Sequence, residues 1–418
     1  MKVGIKITSR DLAVFMLALL CILLTAPELA KTVGGIPIIL LFALCLFLEI
    51  PLIGKLNRTE MITVFMIIVY LALLFIYKLT GISTVSYSHI MTTVRAFLPF
   101  LCMLPLYRKL SRGQGYVLLA AILLSMAWTM IWNVHLKQVW GYRYSLSLLT
   151  TEGVKGIANT QYVSAIMLLS GVLFAAFLRL PRRWFGWLCL LGAFLTVLFN
   201  IAVTQRAITL FLTIVMLGLL VLCNTRRKSA RSVIAWMVLA ILAFVMIIGY
   251  EQILTGLAEL VGVKRLQSRI NAVIKAIQLG SIKELGTGSM YKRVNLMNTS
   301  VKTFFSSAKN FFFGVGMREK NTLVGNHSEF LDEFTRFGIF GGLLSIWTFV
   351  RMMKQTHVMA GVQPGTVTRR LMNVLFVTIF LRMLVGTVYE GSIGVVLFVF
   401  LPLLFREIRL REEGGLLQ

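Results

Sequence analysis

Acidic side chains are scarce in this chain: 16 Asp and Glu stand against 42 Lys and Arg among 418 residues, and charged residues of both signs make up only 14%. So little charge excludes a soluble globular domain, in which about a quarter of the residues are charged. Proline is rare as well, with eight in the whole chain, which excludes Pro-rich linkers and low-complexity segments. Cysteine occurs at Cys21, Cys45, Cys102, Cys189 and Cys223 only, each within an apolar run and without a CxxC pair or metal-ligand spacing. A disulfide framework and a cysteine metal site are therefore not expected, and these thiols read as small apolar packing residues.

What is present is hydrophobic. Apolar residues make up 58% of the chain and the mean hydropathy is +0.85. Runs long enough to cross a bilayer recur from end to end. They are continuous, whereas a transmembrane barrel would show short segments of alternating polarity. The expected fold class is all-α, a polytopic transmembrane helical bundle of about twelve spans. These cover residues 11–27, 35–53, 61–78, 90–106, 116–133, 160–178, 184–203, 206–223, 232–251, 328–350, 371–387 and 391–405. The first run lacks a small-residue cleavage site and is read as a span rather than a signal peptide.

Basic residues set the orientation. With the N-terminus in the cytoplasm, more than half of the 42 Lys and Arg fall in the cytoplasmic pieces, while the short outer loops carry only Lys31. This is the positive-inside pattern, and it places both termini in the cytoplasm. The net charge of +26 is then accounted for by basic loops facing anionic lipid headgroups, so nucleic acid is not an expected partner.

Two segments leave the hydrophobic pattern, both on the outer side. Residues 134–159, "VHLKQVWGYRYSLSLLTTEGVKGIAN", carry Trp140, Tyr142 and Tyr144, aromatics that can stack on sugar faces or anchor at the interface. Residues 252–327 form a loop with eleven bases against three acids. The chain thus divides into helices over 1–251, an extracytoplasmic cap over 252–327, and helices plus a tail over 328–418. Within the cap, residues 258–280 and 289–314 show helical periodicity. The second segment is expected to bury Val294, Met297, Val301, Phe304 and Phe305 on one stripe and to lie along the membrane surface.

Arginine inside a span is costly and marks function or pairing. Arg95, Arg206, Arg336 and Arg382 all fall in the outer half of a span or at its outer edge. Individually, Arg95 can snorkel, Arg206 can anchor a helix end, Arg336 can pair with Asp332 one turn back, and Arg382 can pair with Glu390. Their common depth implies a polar cavity opening outward.

The densest polar stretch is residues 314–342, "GVGMREKNTLVGNHSEFLDEFTRFGIFGG". The sequence suggests a helix capped by Asn326 with Glu329 at the third position, leaving His327 in its first turn. A helix N-terminus attracts phosphate, and an imidazole beside bound phosphate can take a proton from a hydroxyl.

This stretch resembles the signature of the O-antigen ligase and polysaccharide polymerase superfamily: Gly-x-Gly, a short loop, His-Asn/Ser, then an amphipathic segment ending in Gly and two hydrophobics before Gly. Thr204-Gln205-Arg206 is similar to the family's Thr-x-Ser-Arg, one residue shorter and without the serine. Arg293-Val294-Asn295-Leu296 resembles its Arg-x-x-hydrophobic, and "GIANTQY" its Asn-Pro-Asn region, with Thr160 in place of the proline. The resemblance covers the second half of the chain, and the first half only by hydropathy. It implies a GT-C-like glycosyltransferase of a bacterial cytoplasmic membrane, moving a glycan from undecaprenyl diphosphate to an acceptor sugar on the outer side.

Under that resemblance the catalytic residues are His327, Arg206 and Arg293, and Arg382, Arg95, Arg318, Asn159, Gln161 and Tyr142 bind substrate. Arginines can neutralise a leaving diphosphate, so inverting transfer needs neither a metal nor a cofactor; no Asp-x-Asp lies on the outer side and no P-loop on the inner. A polymerase of capsule, exopolysaccharide or O-antigen would take a lipid-linked repeat as acceptor, with a flippase and chain-length regulator as partner proteins. A ligase would take lipid A-core. A lipid-linked oligosaccharide transporter, which would favour broken helices and repeated halves, and a non-catalytic scaffold are the readings from other classes.

Overall fold

The computed structural model describes residues 8–26, 29, 35–140, 160–180, 184–200, 203, 207–224, 289–319 and 322–415. Among them the regular structure is helical. In chain order the helices are α1 (Ser9–Thr25), α2 (Gly35–Ile53), α3 (Arg58–Leu79), α4 (Tyr87–Leu106), α5 (Arg112–Trp140), α6 (Thr160–Arg179), α7 (Trp184–Phe199), α8 (Ala207–Asn224), α9 (Ser289–Phe304), α10 (Ala308–Phe313), α11 (Glu329–Met359), α12 (Val367–Val385), α13 (Gly391–Val395) and α14 (Leu401–Gly415), with a π-helical turn (Val396–Phe400) joining the last two.

Four segments, Arg58–Leu79, His89–Leu106, Arg112–Val139 and Tyr162–Arg179, are long and apolar enough to cross a membrane, and shorter apolar helices accompany them. Helices occupy eleven of the twelve segments expected from hydropathy; the remaining one, 232–251, and the expected cap helix at 258–280 lie outside the described residues. Helix α5 runs to Trp140, so the first residues of the expected outer loop at 134–159 are helical instead.

Capping chemistry fixes the starts of two helices. Thr8 and Asp11 exchange side-chain and backbone bonds at α1, and Asn57 and Glu60 do so at α3, each satisfying two otherwise orphaned N–H groups. Every residue from Gly391 to Phe405 is buried, as expected of a helix apolar on all sides. This rod is the axis of the bundle: α1, α4, α5, α6 and α11 pack round it. The peripheral helices present side chains such as Phe65 on α3, Leu124 on α5 and Phe194 on α7 outward, a surface suited to lipid.

At one end of the bundle, carboxylates tie helices together. Glu60 accepts from the Tyr107 hydroxyl at 2.8 Å and from Arg108 at 2.7 Å. Arg406 donates to the Tyr107 and Leu110 carbonyls, terminating α4 with a cation where the helix dipole is negative. Glu407 accepts from Arg112, Tyr116 and Arg411, each at 2.6 Å. Burial alone would raise the Glu407 carboxyl, but the bonds from Arg112, Tyr116 and Arg411 outweigh it and hold it at about 2.

At the other end, α11 is bent. Gly338 adopts φ 67 and ψ −172, a region open to glycine alone. The bend frees the carbonyls of Thr335 and Arg336, which take the N–H groups of Val315 (3.0 Å) and Gly316 (2.8 Å). The Gly-x-Gly at 314–316 is therefore a plug for the break. Gly314 and Gly316 have φ of 72 and 71, and a Cβ on Gly314 would strike the Arg336 carbonyl. The same segment is fastened to the α3–α4 connection: Met317 N–H reaches the Ser83 hydroxyl and Thr84 N–H the Met317 carbonyl, both at 2.9 Å. The Tyr77 hydroxyl also donates to the Phe313 carbonyl.

The stripe expected on residues 289–314 is corrected by the structure. The segment is two helices, with Ser307 capping the second; of the expected stripe Phe304 is buried and Val294 and Met297 half-buried, but Val301 and Phe305 are exposed while Ser300 and Thr303 are buried. Packing against α11 decides the face, because Ser300 answers Asp332 there.

Two stability tests follow from this architecture. Gly338→Ala should lower the thermal midpoint in detergent well beyond Gly365→Ala. Both residues have positive φ, but an added Cβ meets the Phe312 backbone at Gly338 and nothing within 4 Å at Gly365; left-handed strain alone costs about 1–2 kcal/mol. The Glu407 clamp should be complete above the ordinary carboxylate range near 4.3 and fade as pH falls through about 2; acid-induced loosening measured by thermal unfolding should be smaller in Glu407→Gln.

Candidate functional site

The first two turns of α11 present Glu329, Asp332, Glu333 and Arg336, positions i, i+3, i+4 and i+7, on one face. All four are buried. Arg336 Nη1 meets Glu329 at 2.7 Å and Glu333 at 3.2 Å, while Asp332 stands 4.0 Å from Nη2. The expected pairing of Arg336 with Asp332 is thus the longest of three.

Hydroxyls complete the network. Ser300 donates to Asp332 at 2.5 Å and accepts from Gly325 N–H, and Tyr70 of α3 donates to Glu333 at 2.8 Å. The Tyr389 and Ser345 hydroxyls share a bond of 2.6 Å, and Phe97 and Phe337 pack on the ring faces of Tyr70. A buried guanidinium among carboxylates depends on matched acceptors; here both Nη atoms have them, while the buried Nε has no partner among the described residues.

The expected cap is corrected as well. Ser328, and not Asn326, caps α11, accepting from Leu331 N–H. Glu329 is the first helical residue, and its carboxylate goes to Arg336. The reason is that Asn326 sits at φ 56, a left-handed conformation that asparagine tolerates, and spends its amide elsewhere. Its Oδ1 accepts from Arg336 at 3.1 Å and its Nδ2 donates to the Arg318 carbonyl at 3.2 Å. His327 consequently lies before the helix.

The His327 ring has one anchored nitrogen. Nδ1 lies 2.8 Å from the Asn326 carbonyl oxygen. A carbonyl can only accept, so Nδ1 carries a hydrogen, and in the neutral ring the lone pair is then on Nε2. The next two residues attach to the end of α12: Ser328 Oγ reaches the Met383 carbonyl at 3.5 Å and Glu329 N–H the Gly386 carbonyl at 3.2 Å.

Arg293 of α9 donates to the Val385 carbonyl at 3.3 Å. Arg382, at 2% exposure, donates Nε to Ser164 of α6 at 2.8 Å, and its guanidinium lies against the Cα of Gly386. The end of α12 therefore takes bonds from Arg293 and from the two residues after His327, and it carries Arg382, whose side chain points to α6.

The remaining expectations divide. Arg318 is half-buried in the same loop. Arg95 is half-buried on α4, two residues before Phe97, whose ring meets Tyr389 at 5.4 Å; among the described residues no hydrogen bond or ion pair joins it to the His327 group. Arg206, Asn159, Tyr142 and the side chain of Gln161 lie outside the described residues.

Sequence reasoning missed Tyr70 and Tyr389, which come from far along the chain, and Ser345, which lies on α11 itself beyond the bend at Gly338. It also missed His89, at the start of α4, which lies within electrostatic range of Arg336 and Glu319. The i, i+3, i+4, i+7 spacing was the one available signal for the acidic face.

No family model matches the chain, and no curated protein matches its sequence.

Removing Arg336 leaves buried carboxylates without their cation, which costs about 3–5 kcal/mol. Arg336→Ala should therefore lose most folded protein in detergent size-exclusion profiles. Arg336→Ala combined with Glu329→Gln and Glu333→Gln should recover part of it. Equal loss in the single and triple variants would show that charge compensation is not what the cluster supplies.

Proposed function

We propose that this chain is a glycosyltransferase of a bacterial cytoplasmic membrane. It moves a glycan from a polyprenyl diphosphate, undecaprenyl diphosphate in the family it resembles, to an acceptor sugar hydroxyl on the extracytoplasmic side. The observation that carries this reading is that Arg293 and the two residues following His327 are fastened to the end of α12, which also carries Arg382. Chemistry of this kind needs cationic groups where the diphosphate charge develops and a base for the attacking hydroxyl.

In this mechanism the acceptor oxygen attacks the anomeric carbon and its proton passes to His327 Nε2. The anomeric C–O bond breaks, and the electron pair leaves with the diphosphate. Arg293 and Arg206 hold that leaving group through their guanidinium donors. Arg382 is buried, and its bond to Ser164 ties α12 to α6. A lipid-linked repeat as acceptor makes the enzyme a polymerase, working alongside a flippase and a chain-length regulator; a lipid A-core acceptor makes it a ligase. The two share donor and chemistry.

One feature favours a second reading, a lipid-linked oligosaccharide transporter. Helix α11 is broken at Gly338 beside buried carboxylates, and discontinuous helices with intramembrane acids are common in transporters.

The test is reconstitution with a labelled lipid-linked glycan. Transfer to acceptor should fall at least about 100-fold in Arg293→Ala and His327→Ala, with thermal midpoints near wild type. Full transfer in both variants removes the assignment of these residues, and glycan movement across the bilayer without transfer favours the transporter.

A further inference from the structure

Three cysteines from three helices gather in one place. Cys21 of α1, Cys45 of α2 and Cys102 of α4 are fully buried free thiols, and Glu49 of α2 is buried with them. Cys45 and Glu49 stand one turn apart on the face of α2 that packs against α1 and α4, while Leu40, Leu44 and Phe47 point outward from the opposite face. The cluster therefore lies one helix in from the lipid-facing surface.

Hydrogen bonds put the group in order. The Cys45 thiol donates to Glu49 Oε1 at 3.1 Å, and its alternative acceptor, the Ala13 carbonyl, is farther away at 3.7 Å. The Cys102 thiol bonds to the Cys45 sulfur. Cys21 is near both, but among the described residues no hydrogen bond joins its thiol to either. Glu49 has no further partner there: no cation pairs with it, and its buried Oε2 makes no hydrogen bond.

Packing accounts for small thiols between helices. It does not account for a carboxyl group buried without a cation, which is costly inside a membrane bundle. A carboxyl group, a thiol and a second thiol in a row have a chemistry of their own. Thiolate is the reacting form of cysteine, a carboxylate one hydrogen bond away can take the proton, and a neighbouring thiol can resolve the product to a disulfide. Oxidants confined to water do not reach a group enclosed in this way. Lipid, one helix distant, brings an oxidant that dissolves in hydrocarbon.

We propose that Cys45 and Cys102 form a redox-active dithiol, with Glu49 as its base, that reduces a quinone dissolved in the bilayer. Glu49 takes the Cys45 proton, and the Cys45 sulfur adds to a ring carbon of the quinone. The Cys102 sulfur then attacks that of Cys45. The S–S bond forms as the C–S bond breaks, and the electron pair stays on the ring. Protons from Glu49 and Cys102 follow it, so two thiols and a quinone become a disulfide and a hydroquinone. Closure staples α2 to α4. The site shares no residue with the glycan-transfer reading and stands or falls without it.

The test uses the full chain in lipid nanodiscs, without air, with decylubiquinone, a quinone whose fully substituted ring forms no lasting thioether. Absorbance should show about one hydroquinone formed per chain, as a two-electron couple requires. Maleimide labelling of the denatured chain, read by peptide mass spectrometry, should then miss Cys45 and Cys102 and reach Cys21, Cys189 and Cys223. Glu49→Gln, nearly equal in shape, should slow closure about 100-fold, the effect of losing a positioned base, with a thermal midpoint near wild type. Cys102→Ala should form no hydroquinone and leave Cys45 open to maleimide, and Cys21→Ala should close as fast as wild type. Five labelled cysteines in the treated wild-type chain overturn the proposal. So does a disulfide that includes Cys21, or closure of Glu49→Gln at the wild-type rate.

Discussion

The buried guanidinium of Arg336 is the interaction on which the end of the molecule that carries His327 depends. It is enclosed by Glu329 and Glu333, with Asp332 at the edge of reach and the amide of Asn326 closing the remaining side. Through Tyr70 it reaches α3, and through Ser300 and Asp332 it reaches α9. A charge taken out of water in this way contributes little net stability when all its partners are present. What it contributes is specificity: other placements of these helices would strand a carboxylate or the guanidinium without a partner.

The break at Gly338 has the same logic. A helix interrupted in an apolar bundle exposes backbone carbonyls that lipid cannot satisfy. Here the N–H groups of Val315 and Gly316 take them, so the loop that carries the break's remedy also carries Arg318, Asn326 and His327. The bend in the helix and the position of the imidazole are one structural fact. A Gly-x-Gly in such a setting reads as a backbone seal, although in sequence it looks equally like a phosphate loop.

How much of this was legible beforehand varies by element. Continuous hydrophobic runs located most helices, because a span of lipid length leaves few other conformations for a chain to take. The capping boxes at Thr8 and Asn57 were legible in the same way, being local. The start of α11 was not: "NHSE" offers two residues able to cap, and the choice of Ser328 follows from the left-handed conformation of Asn326 and from Arg336 seven residues beyond Glu329. The face of α9 was misjudged for a related reason. Hydrophobic spacing selected Val301 and Phe305, whereas a polar bond from Ser300 to α11 sets the orientation. Arg293 was linked to His327 by resemblance and Arg382 by its depth in a span; the bonds that fasten Arg293 and the residues after His327 to the end of α12 run to backbone carbonyls, which leave no mark in a sequence.

Those many attachments bear on what the loop over residues 314–319 and 322–328 demands of anything that binds there. Val315, Gly316, Met317, Gly325, Asn326 and Ser328 are each fastened to a helix or to a neighbouring connection before a ligand arrives. The entropy of ordering this stretch is lost once, during folding, and is not subtracted again from the affinity of each incoming molecule. The imidazole is therefore held in place before a ligand arrives, and less of any binding energy is spent on ordering the loop around it.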